Sequence, residues 1–189
     1  MRKVPELLLT SVPFAACSDV EDEFSSDHQC YFVFDNSVHL DATLMSALNS
    51  MSPGIFCQIT EGAKGNSIYF FFKSNQGLES EKKANAIDLK RTRKLGIYNP
   101  SGVIVGYGNL NNPATLYAFD SQCTNCYEST HMPKYTLTMS NNGIATCASC
   151  KRTYDLNNGG IIRSGKEGKK LIRYRASSTG PQGVLSVTN

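Results

Sequence analysis

No stretch of the 189-residue chain approaches the ~20 consecutive apolar residues that a membrane-spanning helix needs, which excludes a helical span. Charge of one sign is scarce too. Nineteen Lys and Arg stand against 16 Asp and Glu, a formal +3, too little to indicate a nucleic-acid binder on electrostatic grounds. No low-complexity tract and no internal repeat beyond two cysteine pairs is present. With 40% hydrophobic and 19% charged residues the composition fits one ordinary globular domain, not a coiled coil, a collagen-like rod or a disordered chain. Histidine is sparse. His28, His39 and His131 are isolated from one another, and His131 alone falls in the loop between the two cysteine pairs, where it could approach a metal. Gly106-Tyr107-Gly108 follows a strand but opens no helix, so it is no phosphate loop. No thioredoxin-like βαβ pattern surrounds a C-x-x-C pair. The chain thus offers no catalytic constellation, and the expectation is a protein that is not an enzyme.

What the chain does have is seven cysteines, at 17, 30, 57, 123, 126, 147 and 150. The first lies in an N-terminus where Arg2 and Lys3 precede a short apolar run ending in small residues, the layout of a secretory signal over residues 1–16. Ala15-Ala16-Cys17 resembles a bacterial lipobox, which implies lipidation of Cys17. Residues 18–23 (Ser-Asp-Val-Glu-Asp-Glu) are acidic with no core-forming pattern and should stay solvated. Such a run behind the lipidated cysteine resembles the surface-export signal of Bacteroidetes lipoproteins. The resemblance implies an exported lipoprotein at the outer membrane or cell surface of a Gram-negative bacterium, held to the membrane by its lipid, with residues 17–28 as an acidic tether. Export places thiols where they oxidise. Cys30 and Cys57, each in an apparent strand, therefore either pair or remain buried thiols, and both readings stand.

Residues 29–189 read as one domain. Residues 29–35 (Gln-Cys-Tyr-Phe-Val-Phe-Asp) predict a strand. Asp41 as N-cap, with Leu44, Leu48 and Met51 at helical spacing, predicts one short helix near 41–51, ended by Pro53-Gly54. Residues 54–60 and 67–73 predict a hairpin, and the run Tyr69-Phe-Phe-Phe72 predicts core on both sheet faces. Residues 74–94 are polar and irregular, a loop or insertion. Beyond Leu95, six short strands alternate with turn signals such as Asn142-Gly143 and Gly180-Pro181, the pattern of an antiparallel β sandwich or barrel.

Cys123-Thr-Asn-Cys126 and Cys147-Ala-Ser-Cys150 are twenty residues apart, each beside a probable strand. Two residues between ligands let one tight turn, here expected at a hairpin tip, present both sulfurs to a metal at ~2.3 Å; a second turn completes a tetrahedron. Two aligned turns favour a single ion, in first place structural zinc. A single iron, an all-cysteine 2Fe–2S cluster and disulfides are the competing occupancies. Lys151 and Arg152 would stabilise the negative charge of a metal bound to four thiolates. The cations Arg163, Lys166, Lys169, Lys170, Arg173 and Arg175 read as a solvated edge.

The second pair and its surroundings carry a resemblance. Cys147-Ala-Ser-Cys150 followed by Tyr154-Asp155-Leu156, Gly159-Gly160, Leu171-Ile-Arg-Tyr174 and Gly183-Val-Leu-Ser-Val187 resembles the second half of a Rieske domain, and Leu116-Tyr-Ala-Phe-Asp120 resembles the strand leading to its first ligand loop. The similarity spans about Val103 to Val187. It implies a Rieske-like all-β fold whose metal loops, within 120–155, project from one end of the sheets. Cys126 and Cys150 stand where a Rieske centre has its two histidines, which excludes a high-potential Rieske cluster. The expectation is therefore a lipid-anchored protein with structural zinc on Cys123, Cys126, Cys147 and Cys150. The alternative is an electron-transfer protein with a 2Fe–2S or single-iron centre on the same four residues.

Overall fold

The computed structural model describes residues 23–189. Cys17, the predicted signal segment and most of the acidic run lie outside these residues. Strand β1 (Tyr31–Asp35) leads through helices α1 (Asn36–His39) and α2 (Ala42–Ala47) into the hairpin β2 (Phe56–Lys64) and β3 (Ser67–Ser74), which β4 (Glu79–Lys83) extends. Helix α3 (Ala86–Lys90) precedes β5 (Val103–Tyr107) and β6 (Leu116–Asp120). Then come α4 (Thr124–Thr130) and the short strands β7 (Thr138–Met139), β8 (Ile144–Thr146), β9 (Thr153–Asp155) and β10 (Ile161–Ser164). Strands β11 (Arg173–Ser178) and β12 (Val184–Thr188) end the chain. Among the described residues no helix is long and apolar enough to cross a membrane.

The expected all-β architecture is present. Eight antiparallel strands, in the order β1-β12-β11-β6-β5-β2-β3-β4, curl into a half-barrel, and β10-β9-β8-β7 form a second antiparallel sheet. Alternation along the strands explains how one sheet serves two cores. Val103 and Val105 of β5 face the hollow of the half-barrel with Phe32, Phe34, Ile59, Phe70, Phe72 and Tyr174, where Leu44 and Ala47 of α2 and its C-cap Leu48 join them. Ile104, between the two valines, faces the other way. With Phe56, Tyr117 and Phe119 it packs against Leu137, Ala145, Tyr154 and Leu156 of the smaller sheet and its flanks. Central strands buried on both faces are why residues 103–105 are apolar without a break.

The segment read as a loop over 74–94 is structured. β4 pairs with β3 in register from Tyr69↔Lys83 to Lys73↔Glu79. The chain then crosses the gap between the two edge strands of the half-barrel. Ala84 N–H donates to Ile68 O (2.9 Å) at one side, and Lys94 exchanges both backbone hydrogen bonds with Tyr31 at the other. Between these points Asn85 and Asp88 form a reciprocal capping box on α3. Asp88 Oδ2 lies 2.8 Å from His39 Nε2, and Arg93 pairs with Glu61 at 2.6 Å. Polar composition hid this strap because its inward groups are polar and its outward ones, Ile87 and Leu89, apolar.

Other expectations are corrected in detail. Asp41 does cap α2, its carboxylate accepting from Leu44 N–H, but the helix closes at Leu48 and Met51 stands 87% exposed. Among the described residues four short α-helices occur instead of one. The aromatic run buries one face: Phe70 and Phe72 lie in the core, while Tyr69 and Phe71 are only half-buried beneath the Lys64 ammonium. Cys30 and Cys57 are free thiols inside the half-barrel core, and burial raises both, Cys30 to about 12. Gly102 fixes where β5 meets β2. Its φ is +72°, and a Cβ there would lie 1.8 Å from Ile59 O.

Candidate metal centre

The two C-x-x-C segments enter the centre differently. The first is not a hairpin tip. β6 ends at Asp120, and after Ser121 and Gln122, fully buried like Asp120, the chain turns into α4 with Cys123 at the N-cap and Cys126 in the first turn. The buried side chains of Asp120 and Gln122 are satisfied by hydrogen bonds that aim the turn, whereas the Ser121 hydroxyl has no partner and only its backbone is bonded. Asp120 Oδ1 accepts from Gln122 N–H (2.7 Å), and Gln122 Oε1 accepts from Tyr135 N–H (2.8 Å). Gln122 Nε2 donates to Ser101 Oγ and to Thr136 Oγ1 (3.1 Å). Backbone bonds from Leu137 to Ser121 O and from Cys123 to Tyr135 O tie the returning chain alongside. The second pair does occupy a hairpin connection, between β8 and β9. Cys147 N–H donates to Arg152 O, Lys151 N–H donates to Cys147 O, and Lys151 takes a left-handed φ of +61° to close the turn.

These two turns face one another. The four sulfurs of Cys123, Cys126, Cys147 and Cys150 all lie within 4.8 Å of one another. Cys123 Sγ is 3.7 Å from Cys150 Sγ, and Cys126 Sγ is 3.8 Å from Cys147 Sγ. A tetrahedron of thiolates at about 2.3 Å from a central ion has edges of about 3.8 Å, so the observed spacing suits one ion. All four are free thiols, the first three buried and Cys150 half-buried. The residues present therefore fit a single metal ion on four cysteines. Two sulfide-bridged irons would interpose a second metal between the pairs and spread them beyond this spacing.

Neighbouring groups complete the centre. Tyr154 Oη, 3.2 Å from Cys123 Sγ, can donate to that sulfur while accepting from Asn125 Nδ2 at 3.0 Å. Asn125 also donates to Lys169 O (2.7 Å) and accepts from Lys169 N–H (2.9 Å), which pins the loop after β10 against the first turn. Arg152 clamps the same loop through the carbonyls of Lys166 (2.8 Å) and Glu167 (3.0 Å). Burial raises the thiols of Cys123 and Cys126 and the phenol of Tyr154. Burial also acts upward on Cys150, but the Arg152 backbone amide and guanidinium, with the facing thiols, outweigh it and hold Cys150 at about 6.

Sequence reading selected the four cysteines and Arg152. It missed Gln122 and Asn125, whose only signal was a polar residue next to each ligand of the first turn. His131 sits apart from the sulfurs, as the left-handed C-cap of α4 with its ring against Tyr127 (6.0 Å between centroids). Lys151 is exposed. Against protein-family models, curated proteins and solved structures, the chain gives no match.

Proposed function

We propose that this chain is an exported, lipid-anchored metal-binding protein in which Cys123, Cys126, Cys147 and Cys150 hold a structural zinc ion on a Rieske-like scaffold, and that it is not an enzyme. The observation that carries the reading is the convergence of four thiols, from two separate turns, to within 4.8 Å. Zinc bound this way would crosslink the turns at a closed site, contributing on the order of ten kcal/mol to folding. The protein's own groups position the ligands: Tyr154 and Asn125 hold the Cys123 turn to the loop after β10, and Arg152 holds the Cys150 turn to that same loop. The membrane anchor rests on the Cys17 motif and the basic and apolar residues before it.

A second reading draws support from the Tyr154 contact. A hydroxyl 3.2 Å from a ligand sulfur is a means of tuning an iron–thiolate potential, so an electron-transfer centre with a single iron suits the same four cysteines. The spacing disfavours the 2Fe–2S cluster for the reason given above. Metal analysis of anaerobically purified protein, read with its visible spectrum, separates the readings. We expect about one zinc per chain and no colour. Cys126→Ser or Cys150→Ser should lose the metal and lower the Tm sharply, whereas His131→Ala should change neither. Visible absorption with bound iron would install the second reading, and metal retention after either cysteine change would overturn both. Cys17→Ser should move the protein out of the membrane fraction; unchanged fractionation would refute the anchor.

A further inference from the structure

Charge is distributed unevenly along the chain. Residues 151–175 contain eight Lys and Arg against Asp155 and Glu167, whereas all other residues together contain 11 basic and 14 acidic side chains. A near-neutral protein thus carries its net positive charge in one 25-residue stretch. The fold keeps that stretch together. Arg163 and Lys170 line one open cleft of about 770 Å³, Lys170 and Arg173 line a smaller one of about 230 Å³, and Arg175 follows on the same strand as Arg173. Arg163, Lys166 and Arg175 are exposed, as is Lys169, whose ammonium pairs with Glu128 at 3.0 Å. The loop that carries Lys166 and Lys169 is tied down by hydrogen bonds to Arg152 and Asn125. Ile161, 43% exposed, opens into the larger cleft amid this charge.

The described chain begins on this same face. The Glu23 carboxylate pairs with Arg173, Ser25 N–H donates to Arg173 O (2.9 Å), and the Phe24 ring lies 4.9 Å from the Arg173 guanidinium and 4.8 Å from that of Arg175. Residues 23–28 therefore run along the basic face rather than away from it. Five residues lie between Cys17 and Glu23, so the six chain steps reach at most about 20 Å.

We propose that the face built from residues 161–175 is a membrane-docking surface that binds anionic lipid headgroups. Its choice of partner rests on the anchored reading above, because a lipid on Cys17 would hold a bilayer within the tether's reach of Arg163, Lys166 and Arg175. Clustered cations beside a bilayer are attracted to anionic headgroups over roughly a Debye length, about 8 Å at physiological salt, and tethering raises their effective concentration there. An exposed isoleucine among the cations suits a lipid interface better than a fully solvated polyanion. Docking would hold the metal-bearing end toward the bilayer, since Asn125 links Lys169 to the Cys123 turn.

The test uses the full chain, metal-loaded and carrying Cys17→Ser so that no acyl chain contributes. Co-sedimentation is measured with phosphatidylcholine vesicles and with vesicles that also contain phosphatidylglycerol. We expect binding only to the anionic vesicles, weakening as salt rises. The triple variant Arg163→Glu, Lys166→Glu, Arg175→Glu should reduce partitioning by at least about a hundredfold, and the corresponding Gln variant by a smaller factor. Metal content and circular dichroism should match the parent, because these side chains are exposed and make no contact with the sulfurs. Equal binding to both vesicle types, no binding to anionic vesicles at low salt, or a reversed variant that binds like the parent would each overturn the proposal. Retention on heparin or nucleic acid without vesicle binding would do so as well. A failure of the metal or anchor reading would show separately, in the metal analysis and the wild-type fractionation.

Discussion

Tyr154 and Asp120 show how single buried polar groups govern the region around the sulfurs. Tyr154 is fully buried, and its hydroxyl is shared between Cys123 Sγ and Asn125. Tyr154→Phe keeps the ring and removes both contacts. Groups that orient metal ligands are typically worth 10–100-fold in affinity, so competition against a chromophoric chelator should show a loss of about that size with the fold intact. Affinity unchanged within about twofold would show that the hydroxyl does not orient Cys123. Asp120 gives a pH signature. Its carboxylate accepts from Ile97 N–H, Gln122 N–H and the Tyr174 hydroxyl, yet burial outweighs these and raises it from 3.8 to about 6. The unfolded chain releases this proton near 4 and the folded chain keeps it to about 6. Its contribution to stability is thus fully present below pH 4, falls as pH rises from 4 to 6, and is flat above, in total on the order of 3 kcal/mol. Asp120→Asn should abolish this part of the slope, whatever it does to the overall level. Thermal unfolding of both proteins between pH 4 and 8 checks it, and parallel profiles would refute the assignment.

At the scale of elements, the half-barrel depends on close approach between backbones, and Gly102 is the clearest case. Its positive φ and the 1.8 Å approach of a would-be Cβ to Ile59 O leave no room for a side chain unless β2 and β5 separate. Gly102→Ala should cost more than about 3 kcal/mol, or abolish soluble expression, because strain and lost pairing add. Gly65→Ala is the control. Gly65 also has positive φ (+58°) but nothing lies within 4 Å of its would-be Cβ, so the change should cost about 1 kcal/mol. Urea unfolding of the pair measures the difference; similar losses would mean that backbone approach is not the cause. The segment after β4 teaches a related lesson. Its polar residues are not solvent-facing filler but the groups that tie the segment to the body of the fold, Asp88 to His39 of α1 and Arg93 to Glu61 of β2.

For the whole molecule, the two sheets are unequal. The strands of the half-barrel run from five to nine residues, whereas β7, β8, β9 and β10 have two, three, three and four. Few backbone hydrogen bonds hold the small sheet, and the four sulfurs sit where its turns meet α4. Metal removal should therefore act locally before it acts globally. With metal stripped by a chelator, amide exchange should accelerate across residues 123–155 while β11 and β12 remain protected, and adding zinc back should restore protection. Uniform acceleration over both sheets would instead mean that the ion holds the entire fold. Acid should act in the same direction as the chelator. Burial raises Cys123 and Cys126, so they carry protons when metal-free and must release them on binding; affinity then rises with pH by about tenfold per proton released.

Much of this was legible locally. Alternating and unbroken apolar runs indicated strands, Asp41 announced its helix, and the spacing within each cysteine pair selected the four sulfurs. Those signals are readable because strand periodicity, N-capping and chelation by one turn depend on residues a few positions apart. The tertiary structure alone decided the rest. It showed that the first cysteine pair opens a helix, that Tyr154 and Asn125 meet at Cys123, and that residues 84–94 close the half-barrel. It also placed Cys30 and Cys57 as unpaired thiols and laid residues 23–28 along the basic strand. Each of these depends on partners many residues away, in some cases over a hundred. At such distances register and packing, rather than local pattern, determine which groups touch.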